Sequence, residues 1–224
     1  MSMCGRYALY GPHSRYRDHF ALQAWLDFAD HFNLAPTTTL PVIRQSPAGQ
    51  RVVDLLQWGL IPHWAKDPSI GHKLINARCE TLTEKPSFRD AFRRRRCIVP
   101  AAGFYEWQRA GKTKQPYFIK HPSEEPLAMA GLWESWRDPA GEIVRTFCII
   151  TTAANATVAP IHDRMPVLLR TEDFARWLDP TVDGATLVDL LVACPADDIV
   201  AVPVSQAVST STSDGPALIV PAKR

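Results

Sequence analysis

The sequence has no cysteine pair at metal-binding spacing, no long apolar run and no dominant charge. Its five cysteines, Cys4, Cys79, Cys97, Cys148 and Cys194, are an odd number without a C-x-x-C pair, so neither a disulfide framework nor a zinc site is signalled. No metal or other cofactor is called for, and a reducing cytoplasm is the expected home. No apolar stretch approaches the roughly 18 residues of a membrane span, and the first residues lack the apolar core of a secretory signal. The net charge is only +2, so a polyanionic partner would have to be met by a local patch. There is no internal repeat and no composition break. The 224 residues are expected to form a single domain, large enough to bury a core without staples, with about 206–224 as a C-terminal tail docked back on it.

What is plentiful is shape. Nineteen prolines and seven tryptophans suggest short elements joined by formed loops. Tyr16, Phe20, Ala24 and Phe28 fall at four-residue steps, which predicts an amphipathic helix over about 14–28. The run 32–36 before Pro36 reads as an extended connector. Strands are predicted at 6–9, 39–44, 51–58, 97–101, 103–108, 117–120, 127–136, 144–151, 165–169 and 199–203, with a hairpin turn at 109–112. Most connections are too short for helical crossovers, so the sheet should be largely antiparallel. Thr171 opens a short helix that ends before Pro180, and a second helix is predicted over 184–192. Ser209 to Ser213 reads as a linker and 216–221 as an apolar segment that docks. The run Phe88 to Arg96 holds five arginines in nine positions; as a helix it turns Phe88 and Phe92 inward and the arginines outward, either as a solvated face or as a phosphate contact.

Four residues carry candidate chemistry. Cys4 would be a terminal residue once a leading methionine is lost, and a terminal cysteine places an amine of pKa about 7.7–8.0 beside a thiol of pKa about 8.5. The amine can condense with an aldehyde to an imine, onto which the thiol closes as a five-membered thiazolidine. A lone cysteine is more often a small buried hydrophobe, but Gly5 permits close approach and Arg6 can hold an anion. Asn76 lies in an apolar approach, Glu106 between Tyr105 and Trp107, and His162 ahead of Asp163-Arg164-Met165-Pro166. The loop 58–64, with Trp58 and Trp64, reads either as a hydrophobic plug or as a stacking platform for an unpaired base.

The fragments MCGRYA, WGLIPHWAKD, INARCET, CIVPAAGFYEW, AGLWESW and HDRMPVLL, in this order, resemble the SRAP family, the SOS response-associated peptidases or abasic-site processing proteins. The resemblance implies an α+β fold with a barrel-like sheet and flanking helices. It also implies a monomeric, nucleoid-associated protein that binds single-stranded DNA and cross-links itself to the aldehyde of an abasic site during the DNA-damage response, with lyase and self-peptidase activities alongside. By position it makes Cys4, Asn76, Glu106 and His162 catalytic, and Arg6, Trp58, Trp64, Arg78 and Arg164 the DNA-contacting set. One departure stands out: with Ser2 and Met3 attached, Cys4 has no α-amine and offers only a thiol. The chemistry requires that the chain start at Met3 and lose it, that the leading residues be foreign, or that the protein trim itself. Two other readings remain: an N-terminal-nucleophile cysteine hydrolase with His162 as base, which predicts peptide cleavage in trans, and a passive single-strand-binding module, which predicts no covalent adduct.

Overall fold

The computed structural model describes residues 4–111 and 113–222. Its strands are β1 (Tyr7–Leu9), β2 (His31–Leu34), β3 (Thr39–Gln45), β4 (Arg51–Trp58), β5 (Asn76–Arg78), β6 (Arg96–Ala101), β7 (Gly103–Ala110), β8 (Thr113–Lys120), β9 (Leu127–Arg137), β10 (Ile143–Ala153), β11 (Arg164–Pro166) and β12 (Val200–Pro203). Three short α-helices accompany them: α1 (His13–His19), α2 (Arg89–Arg94) and α3 (Phe174–Leu178).

The strands form a closed barrel and an open sheet. The barrel runs β3-β4-β10-β9-β6 and back to β3. It is antiparallel except at its seam, where Thr146 and Phe147 of β10 run parallel to Gln57 and Trp58 of β4. β10 is long enough to do two jobs. Its first half closes the barrel against β4 and β9; its last residues carry β5 on one side, Ile149 opposite Asn76, and β11 on the other, Thr152 opposite Met165. Asn76, Arg78 and Arg164 therefore ride on the projecting end of one barrel strand.

The open sheet, in the order β12-β8-β7-β1-β2, is apolar on both faces because side chains alternate along a strand. Tyr7, Leu9, Phe104 and Ile119 join the barrel core, whereas Ala8, Tyr105 and Phe118 face a second cluster with Val204, Val208 and Leu218. The C-terminal segment is what covers that outer face. It packs Leu218 at 4 % exposure and bridges Val204 to Pro221. The stretch read as a linker is tied down as well: Asn33 Nδ2 donates to the carbonyls of Val208, Thr210 and Ser213.

The expected helix over 14–28 stops at His19. Leu22 N–H bonds the Arg17 carbonyl at 2.9 Å and Ala21 N–H that of Asp18 at 3.2 Å, the two crossed bonds of a Schellman stop, with Ala21 at φ 50° in the left-handed place that glycine usually takes. Phe20 is fully buried at this turn, so the core claims the chain before the periodicity ends. The connector 32–36 begins as strand β2, and the helix expected at 184–192 is 3-10 over Gly184–Leu190. In the hairpin between β7 and β8 the pairing closes at Ala110 and Thr113; Lys112 of that turn lies outside the described residues, as do Met1 to Met3.

Candidate active site

Cys4 sits in a bend just ahead of β1, with φ at 32° and 1 % of its surface exposed. The positive φ turns its side chain into the interior that Tyr7 enters three residues later. Its backbone N–H donates to Glu106 Oε1 at 2.7 Å, and its carbonyl receives a long bond from Asn76 Nδ2 at 3.4 Å. Three of the four expected catalytic residues are thus brought together from the bend before β1, from β5 and from β7.

Glu106 owes its position to the pleat. In β7 it shares a face with Phe104, which points at the barrel, while Tyr105 and Trp107 point the other way. A carboxyl group is therefore held at 3 % exposure among hydrocarbons. Burial raises its pKa to about 7, against the opposing pull of hydrogen bonds from the Cys4 and Trp107 amides and with a further push from Asp163. Near neutral pH it can give or take a proton. The Cys4 thiol is pushed well above its ordinary value, first by burial and then by Glu106. It rests as a protonated thiol.

His162 closes a tight turn, its N–H on the Val158 carbonyl at 3.0 Å. That turn is tied to β7 by Gln108 Nε2, which donates to the Pro160 carbonyl at 2.9 Å. His162 Nδ1 lies 3.1 Å from the Arg164 backbone nitrogen, whose hydrogen bond it can accept when unprotonated. Asp163 Oδ1 lies 3.1 Å from the same Nδ1. Asp163 was not among the expected residues, although it sits inside the HDRMP fragment; its charge reaches both the histidine and Glu106.

The expected DNA-contacting residues divide. Arg78 is exposed. Arg6 is half-buried, its Nη1 on Asn33 Oδ1 at 2.9 Å and on the Val208 carbonyl at 3.2 Å. Asn33, which orients it, gave no signal in the sequence beyond being polar beside Phe32 and Leu34. Trp64 is 49 % exposed in a loop pinned by Trp136 Nε1 on the Ala65 carbonyl at 2.7 Å and by Glu134, which accepts from both His63 N–H and His63 Nδ1.

Trp58 requires a correction: it is fully buried, packed between Tyr7 and Phe147, with Nε1 on the Ile75 carbonyl at 2.9 Å. It offers no ring face. Gly59 then turns the chain at φ 129°, where a Cβ would lie 2.8 Å from the Gly71 carbonyl oxygen. Arg164 also differs from a free phosphate contact. It is 9 % exposed, both Nη atoms are on the carboxylate of Glu80 and Nη2 also reaches the Thr151 carbonyl. Those bonds hold the Glu80 pKa down to about 2. The charge of Arg164 is thus already paired with Glu80.

The arginine run splits as well. Arg93 and Arg94 are exposed, but Arg96 is 2 % exposed and donates to the carbonyls of Phe92, Arg93, Trp177, Asp179 and Val182.

Barrel, sheet and site together define a class: an α+β protein whose first strand brings a buried cysteine up against a carboxyl group of high pKa from a neighbouring strand. The family profile of the SOS response associated peptidase (SRAP) matches residues 3–211, and the chain belongs to that family. It is 43 % identical over 222 residues to the abasic site processing protein YoqW of Bacillus subtilis (strain 168), covering 97 % of this chain and 99 % of that one. It is 33 % identical over 243 residues to the abasic site processing protein HMCES of Xenopus tropicalis, covering 90 % and 71 %. A crystal structure of a protein from Bacteroides thetaiotaomicron superposes with a TM-score of 0.89 at 28 % identity over 98 % of this chain and all of that one.

Proposed function

We propose that this chain processes abasic sites in single-stranded DNA by bonding both nucleophiles of a terminal Cys4 to the aldehyde carbon. The observation that carries the reading is the 2.7 Å contact between the buried Cys4 nitrogen and Glu106 Oε1, supported by the names of the relatives. Freed of the residues before it, that nitrogen becomes an amine whose proton is shared with a carboxyl group of pKa about 7. The amine adds to the open-chain aldehyde; Glu106 protonates the departing hydroxyl of the carbinolamine, and water leaves. The thiol then adds to the iminium carbon: the C–S bond forms, the C=N electron pair returns to nitrogen, and the thiol proton passes to the Glu106 carboxylate. The adduct weighs protein plus DNA minus one water.

The other residues have supporting parts. Asn76 steadies the Cys4 carbonyl without adding charge, and His162 serves as the proton shuttle for imine formation and its reversal. Arg78 and Arg6 take phosphates, which fixes position and not sequence; Trp64 takes a base face. While Cys4 is still joined to Met3, the same contact sets an acid against the nitrogen that self-trimming would release. A hydrolase acting through a resting thiolate fits less well, since burial and Glu106 both hold the thiol protonated.

The test is incubation with a single-stranded oligonucleotide bearing one abasic site, followed by denaturing electrophoresis and intact mass. The expected product is a heat-stable adduct on a chain that begins at Cys4. Glu106→Gln and His162→Ala should each slow it by on the order of 10²–10⁴, with little change in affinity for DNA. No adduct, or the same adduct on a chain that keeps Met1 to Met3, would overturn the mechanism.

A further inference from the structure

Residues 155–161, between β10 and β11, belong to no helix or strand, yet His162 comes straight out of them. The loop is closed at its base, where the Ala154 N–H meets the Asp163 carbonyl at 3.0 Å beside the Ala153–Arg164 pair. Inside it, Asn155 organises the chain. Its Oδ1 accepts from the N–H groups of Thr157 and Val158, both at 3.1 Å, and its carbonyl accepts from Val158 at 3.2 Å and Ala159 at 2.8 Å. These bonds set Val158, whose side chain is fully buried and whose carbonyl receives the N–H of Ile161 at 2.8 Å and of His162 at 3.0 Å. The other end of the carboxamide is an anchor. Asn155 Nδ2 donates to the Cys194 carbonyl at 3.1 Å, and Thr157 Oγ1 to that of Ala196 at 2.8 Å, each 39 residues further along the chain.

We propose that Asn155 is the positioning residue for His162: it winds and anchors the turn from which the imidazole is presented. The inference rests on the cross-linking reading above and adds a residue to it. The place demands an acceptor for two amides and a donor for a carbonyl in one short side chain. A carboxamide supplies both without charge, a carboxylate only the acceptor and alanine neither. Among the described residues the Asn155 side chain bonds Thr157, Val158 and Cys194, so it acts on the reaction through the turn. Proton transfer punishes misplacement: a shift of about 1 Å caused by a change away from the chemistry can cost about 10²-fold in rate.

The test is a double-mutant cycle of cross-linking rates on the abasic oligonucleotide, with chains that begin at Cys4: wild type, Asn155→Ala, His162→Ala and the pair together. Asn155→Ala should slow the reaction by about tenfold or more. In the His162→Ala background the same substitution should change the rate by less than about twofold, since groups that act as a unit are not additive. Asn155→Asp keeps both acceptor bonds and should recover part of the loss. Amide hydrogen exchange of the free protein gives a second readout: Asn155→Ala should lose protection at Val158, Ala159 and His162 while β9 and β10 keep theirs. Equal slowing in both backgrounds overturns the proposal, because the residue would then act independently of His162. A wild-type rate for Asn155→Ala, or unchanged exchange at those amides, overturns it as well. If wild type itself forms no adduct, the cross-linking reading has failed instead, and the exchange comparison still judges whether Asn155 holds the turn.

Discussion

Glu106 occupies a place where the fold would be more comfortable with a hydrocarbon. Its pKa is about 7 in the folded chain against about 4.3 unfolded. Between those values the folded chain holds a proton that the unfolded chain has lost. Stability is therefore full below about pH 4.3 and declines as pH rises through 7, by on the order of 3 kcal/mol in all. Glu106→Gln stays neutral throughout and escapes the decline. In thermal melts the variant should exceed the wild type at pH 8, with the gap closing by pH 5, although the proposed mechanism expects the same substitution to slow cross-linking. A variant less stable than wild type at both values would show that the carboxylate supports the fold.

At the scale of the element, two tryptophans of one loop have opposite fates. Trp58 ends β4 and fills the barrel mouth; Trp64 stands out because Ile61 and Ala65 on either side of it turn inward with Trp136. Trp58→Ala should cost about 3–5 kcal/mol of folding stability. Trp64→Ala should leave the melt unchanged and weaken single-strand binding by about 1–3 kcal/mol, read by fluorescence anisotropy. Equal melts for the two variants would refute the assignment. The sequence showed both rings but not which was buried, since that depends on a parallel seam between strands about ninety residues apart. Alternation and turn residues did reveal nearly every strand, because both are local. The same limit explains Arg164 and Arg96: Arg164 is held by Glu80, 84 residues away, and Arg96 adds to its local carbonyls those of Trp177, Asp179 and Val182. Cys4 and Glu106 were legible from their motifs, whereas Asn33 and Asp163 matter only through residues that folding brings to them.

For the whole molecule, a net charge of +2 leaves DNA binding to a few local contacts. The apparent affinity for an abasic single strand should fall with salt at a slope near 0.7 per neutralised phosphate. Arg78→Ala should lower that slope by about one phosphate, whereas Arg93→Ala should not change it. An equal loss in both would extend the contact surface to α2.

The cysteine's seat is assembled from distant parts of the chain. Its nitrogen waits for a carboxyl group 102 residues later, and Arg6 waits for Val208, 202 residues on. On a ribosome adding about 5–20 residues per second, the first of these partners is roughly 5–20 s behind Cys4 and the second about twice that. Until then the nascent terminus is open to solvent and to any peptidase that removes residues ahead of Cys4. Once Glu106 and the C-terminal segment arrive, the Cys4 nitrogen and Arg6 take the places they hold in the finished fold.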